Sequence, residues 1–102
     1  MDINVTIMDT TMLVKLSGRL DSSSAPQLER EINPQLVGIT SLTLDCTELL
    51  YISSSGLRVV LSLKKKMNSA NGILVIQNPN EMVMDVFEAT GFVEILDVQY
   101  SE

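Results

Sequence analysis

The chain has 102 residues, 45% hydrophobic but only 4% aromatic, which bounds it to one domain, residues 1–102, whose core is built of aliphatic side chains and six methionines. Thirteen acidic residues against seven basic ones leave a net charge of −6, which argues against nucleic acid and membrane surfaces and fits a soluble protein that meets a partner protein. With no histidine and one cysteine, Cys46, the chain has no Ser-His-Asp triad, no histidine-ligated metal, no zinc cluster and no internal disulfide.

Ile3, Val5 and Ile7 alternate with Asn4 and Thr6, so residues 2–8 read as a half-buried strand. Asp9 to Thr11 make a polar turn. Met12, Val14 and Leu16 then alternate in a second strand ending near Gly18, and the short link predicts an antiparallel hairpin. Ser24 and Gln27 fit a capping box, with Pro26 in the first helical turn. Ala25, Leu28, Ile32 and Leu36 recur at helical spacing, and Pro34 divides that helix into two pieces that run to about Val37 and close at Gly38.

The third strand is expected over Ser41 to Cys46, with Leu42, Leu44 and Cys46 on one face and Leu49 and Ile52 packed under the following loop. A helix from about Ser55 to Ser69 places Val60, Leu63 and Met67 on a core stripe, flanked by Val59, with Arg58, Ser62 and Lys65 opposite. Leu57 and Leu61 lie on a flank and read either as core or as an apolar ridge for a partner. After a turn containing Asn71 and Gly72, Ile73 to Ile76 read as a central strand buried on both faces. Asn78-Pro-Asn80 opens another helix, faced by Met82, Val86 and Ala89 with Val83 and Phe87 alongside and ended by Gly91; Phe92 to Leu96 form a last short strand. The order is β-β-α-β-α-β-α-(β), an α/β fold with a mixed, mostly parallel central sheet in which strands two, three and four run parallel.

In such a sheet the loops at the carboxyl ends of the strands share one rim, where sites form. Asp21-Ser22-Ser23-Ser24 and Ser53-Ser54-Ser55-Gly56 are both loops of this kind, so Asp21 is expected near Ser54 in space. A helix start has unpaired N–H groups and the positive end of the dipole, so a serine there can cap it, carry a phosphate, or do both. The Ser-rich turn is not G-x-S-x-G, and neither a dinucleotide fingerprint nor a P-loop lysine is present, so neither an enzyme nor a cofactor is expected. No signal-peptide pattern opens the chain and no apolar run reaches the ~18 residues of a membrane span, which makes the cytoplasm the expected location.

Leu16-Ser-Gly-Arg-Leu-Asp21, Leu42-Thr-Leu-Asp45 and Ile52-Ser-Ser-Ser-Gly-Leu57 together resemble the STAS family, and within it the small bacterial anti-sigma factor antagonists. The resemblance covers nearly the whole chain. It implies partner switching: the unphosphorylated protein binds a kinase-fold anti-sigma factor and frees a sigma factor, the kinase phosphorylates one serine, and a metal-dependent serine phosphatase of the 2C type reverses this. Counting back from Gly56, the family's phosphoserine is Ser54, with Ser53 and Ser55 as second candidates; the family's Asp is replaced by Ser53, and Ser55 matches a serine that can cap the helix. A phosphate on Ser54 is expected to face the N–H groups of Gly56 and Leu57. Asp21, Ser22, Ser23, Ser53, Ser55, Gly56, Leu57, Arg58 and Leu61 are the implied loop and partner-binding residues. The alternative within the family is a binding module in another signalling pathway, or the small subunit of a transport complex, with no sigma factor. The family's C-terminal helix is short or missing before Glu102, and a monomer or weak dimer is expected.

Overall fold

The computed structural model describes residues 1–101. Five strands, β1 (Asp2–Met8), β2 (Thr11–Leu20), β3 (Ser41–Ile52), β4 (Ile73–Gln77) and β5 (Asp97–Gln99), form one sheet in the order β1-β2-β3-β4-β5. β1 is antiparallel to β2, as the short turn through Asp9 (φ 56°) demands, and all later neighbours are parallel. The helices α1 (Ala25–Ile32), α2 (Ser54–Ser69) and α3 (Glu81–Thr90) are the crossovers between the parallel strands.

Parallel register lines up Met12, Leu42 and Leu74, and then Val14, Leu44 and Ile76, all fully buried. The buried residues of all three helices join this same cluster. One face of the sheet is therefore the floor of the core. On the other face Asn4, Thr6, Leu13, Lys15, Thr43 and Asp45 are half-buried or exposed, and Val75 of β4 is buried.

Several elements differ from the sequence reading. Strand β3 is twelve residues long and does not stop at Cys46. It keeps pairing with β2 through Glu48, Leu49, Tyr51 and Ile52, across register shifts between Lys15 and Ser17 and between Gly18 and Arg19. Those irregularities change the facing, so the buried residues run Cys46, Leu49, Ile52 at intervals of three and the two-residue alternation disappears. Strand β4 is interior and buried on both faces over Leu74, Val75 and Ile76, as expected, but Ile73 is 55% exposed and β3 is the middle strand of the five. The buried face of α3 is Val83 and Phe87; Met82 is 52% exposed and Ala89 is exposed. Phe92 to Glu94 form a 3-10 turn, held by Ile95 N–H to the Phe92 carbonyl (3.1 Å), and the last strand starts only at Asp97.

Ser24 forms no capping box. Its hydroxyl donates to the Arg19 carbonyl (2.7 Å) and accepts the Asp21 N–H (2.9 Å), so it closes the loop between β2 and α1. Pro34 does divide the helical stretch: α1 ends at Ile32 and a 3-10 turn continues over Asn33–Gln35.

Cys46 is buried on β3, and burial, reinforced by the negative charge of Asp45, pushes its pKa from 9.0 up to about 12. A thiol held neutral in the fold but free to ionise when unfolded contributes stability below pH 9.0 that is lost between pH 9.0 and about 12. Urea unfolding over that window should show a steeper loss of stability for the wild type than for Cys46→Ala.

Candidate functional site

The two serine loops meet at the C-terminal rim of the sheet. The last pair between β2 and β3 is Leu20 with Ile52, and the Ser53 N–H donates to the Leu20 carbonyl at 2.9 Å. The chain thus leaves β2 into the Asp21 loop and leaves β3 into α2 from adjacent positions. Ser22 and Glu29 on one side and Ser55, Arg58 and Ser62 on the other line a shared open groove of about 470 Å³.

Each serine of the second loop has a different environment. Ser53 is the N-cap, in extended geometry (φ −99°, ψ 177°), and its hydroxyl accepts the Gly56 N–H at 3.4 Å. Ser55, matched by resemblance to a capping serine, therefore does not cap. It is half-buried in the groove, while Ser54, the first helical residue, is exposed. The N–H groups of Gly56 and Leu57 are engaged, the first by the Ser53 hydroxyl and the second by the Ser53 carbonyl at 2.9 Å, so they do not wait for a phosphate. The helix donors without an intrahelical acceptor are those of Ser54 and Ser55.

Gly56 is required by a close approach. A Cβ at this position would lie 2.8 Å from the Leu20 carbonyl oxygen, 2.8 Å from Leu20 Cγ and 2.9 Å from Ile52 Cγ1. Leu57 is 5% exposed and belongs to the core, so it is not part of a surface ridge; Leu61 is half-buried and Arg58 exposed. Helix α2 has no acidic residue and holds Arg58, Lys64, Lys65 and Lys66, four of the chain's seven cations.

On the other loop, Asp21 Oδ1 accepts from the Ser23 hydroxyl (2.8 Å), the Ser23 N–H (3.0 Å) and the Ser24 N–H (3.3 Å). These donors, the Ser23 hydroxyl first, hold the Asp21 pKa below its ordinary value. Arg19 Nε lies 3.9 Å from Asp21 Oδ2, and its guanidinium sits 4.2 Å above the Tyr51 ring centre on the neighbouring strand. The sequence reading missed Arg19 and Tyr51, since their pairing depends on the shifted register. It also missed Leu50, 62% exposed at the same rim; the signal was the Leu49-Leu50 pair, of which a strand can turn only one inward.

A STAS domain family model matches residues 2–102. The chain belongs to the STAS domain family. A Bordetella bronchiseptica protein, BtrV, named as a candidate anti-sigma factor antagonist, is 37% identical over 102 residues, covering 99% of this chain and 88% of that protein. The anti-sigma-B factor antagonist of Bacillus subtilis is 28% identical over 100 residues, covering 96% of this chain and 92% of that protein. The Bacillus protein SpoIIAA in its phosphorylated form shares the fold with a TM-score of 0.80 at 19% identity, covering 99% of this chain and 92% of that one. The unphosphorylated form of SpoIIAA, an anti-sigma factor antagonist, gives 0.79 at 18% identity, covering 99% and 90%.

The cap geometry at position 53 suits a serine or an aspartate alike, because Asp and Ser are both favoured N-caps. Ser53→Asp should leave stability within about 0.5 kcal/mol of the wild type, whereas Ser53→Ala should lose about 1 kcal/mol. Gly56→Ala should cost more, about 1–3 kcal/mol, because the helix start must move off Leu20. Chemical denaturation of the three variants checks all of this.

Proposed function

We propose that this protein is an anti-sigma factor antagonist that acts by partner switching, with Ser54 as the phosphorylated residue. The observation that carries the reading is the division of labour among the serines. Ser53 is committed to the cap, Ser55 is half-buried, and Ser54 alone presents an exposed side chain at the start of α2, beside the Asp21 loop. The relatives' names and the two forms of SpoIIAA support it.

In the unphosphorylated state the rim formed by Asp21, Ser22, Ser23 and the exposed side of α2 docks on a kinase-fold anti-sigma factor and displaces a sigma factor. The kinase then uses ATP. The Ser54 oxygen attacks the γ-phosphorus, ADP leaves, and the serine proton passes to a base on the partner. The product adds about two negative charges to the docking surface. Arg58, one helical turn on and also exposed, lies where an i,i+4 neighbour can pair with that phosphate, which removes a cation from the surface offered to the partner. The complex weakens by local repulsion and desolvation, without refolding. A serine phosphatase of the 2C type, with its own metal ions, returns the hydroxyl by attack of water on phosphorus.

Binding to the kinase-fold partner should persist in Ser54→Ala and fall about a hundredfold in Ser54→Asp, ~2.7 kcal/mol, measured by calorimetry. Incubation with that partner and ATP should place one phosphate on the wild type and on Ser53→Ala, and none on Ser54→Ala, by mass spectrometry. Equal binding by the Ala and Asp forms with no phosphate transferred would leave a constitutive binding module and sink the switch.

A further inference from the structure

The two lateral edges of the sheet are built differently. β5 is three residues long. β1 is seven residues long and pairs with β2 in unbroken register from Asp2 opposite Ser17 to Met8 opposite Thr11. Among the described residues, nothing pairs with its outer edge. Along that edge, backbone N–H and C=O groups point outward without partners, and strands so exposed are ordinarily blunted by proline, lysine, a bulge or an inward charge. β1 has none of these. Its one charge is Asp2 at the end, and Ile3 to Met8 are uncharged in a protein of net charge −6.

The core also stops short at β1. Ile3 and Val5, on the core side, are only half-buried, and Ile7 is 46% exposed.

We propose that β1 is the seam of a homodimer. Two copies pair β1 with β1 in antiparallel fashion about a two-fold axis at Val5, joining two five-stranded sheets into one. The pattern of the strand selects a second copy as the occupant, because it is complementary to itself. The two-fold sets Ile3 opposite Ile7, Val5 opposite Val5, Asn4 opposite Thr6 and Asp2 opposite Met8. Apolar residues meet on the core side, on the outer side Asn4 meets Thr6 while Asp2 meets Met8, and no carboxylate faces another. The helix layers then lie side by side, and the small seam implies a dimer of micromolar affinity. The inference stands independently of the reading of Ser54.

Sedimentation equilibrium of the purified chain tests it. The wild type should pass from monomer to dimer across the micromolar range. Asn4→Lys with Thr6→Lys changes two exposed residues outside the core and sets like charges against each other across the seam. This double variant should dimerise at least tenfold more weakly while keeping the wild-type circular dichroism. So should Asn4→Glu with Thr6→Glu, and an equimolar mixture of the two should recover the dimer. A wild type that stays monomeric throughout, or a dimer indifferent to these charges, overturns the proposal. Should either charged pair prevent folding, Val5→Cys decides: mild oxidation yields a covalent dimer if the axis passes through residue 5, and its absence refutes the seam. Cys46, buried and neutral, does not compete.

Discussion

Where the start of α2 meets the end of β2, Leu20 imposes two conditions on the chain. Its carbonyl accepts the Ser53 N–H, and its backbone and side chain occupy the space that any Cβ on residue 56 would need. The helix therefore settles against the strand at a depth that only glycine permits. That depth turns Ser53 back to cap the helix and leaves Ser54 facing outward. It also places the Asp21 loop beside α2, because the loop leaves directly from Leu20. The exposed serine is a consequence of backbone packing one layer below it.

Electrostatics follows the same junction. The carboxylate of Asp21 is occupied by the serine donors of its own loop and lies near Arg19, so it braces the loop as well as charging it. Four of the seven cations lie on α2 and none of the acids does, so an acidic protein presents a basic ridge leading away from Ser54. A new negative charge at the head of that ridge acts on the local field far more than on the net charge.

Much of this was legible in the sequence. The hairpin, the parallel crossovers, α2 with its stripe of Val60, Leu63 and Met67, and the meeting of two serine loops at one rim all follow from period and turn chemistry. What failed to show has a common cause. The periodic signal carries no information about register shifts, so β3 seemed to end at Cys46, and Arg19 and Tyr51 went unpaired. In α3 six apolar residues offered overlapping faces, and only tertiary packing chose Val83 and Phe87. The cap was assigned by resemblance to Ser55 and not to Ser53, because helix starts are fixed by hydrogen bonds that composition does not display. Ser24 fits a capping box in sequence yet spends its hydroxyl on Arg19 and Asp21.

The coincidence of strand order in the sheet with strand order in the chain has a bearing on synthesis. Each new strand is laid beside the one made just before it, and each helix covers ground already formed. No strand has to be inserted between two existing neighbours. The sheet can therefore grow by accretion from the N-terminal hairpin as the polypeptide leaves the ribosome, with only one temporary edge waiting at a time. The outermost strand added in this way, β5, is only three residues long, so it contributes little to the pairing of the sheet.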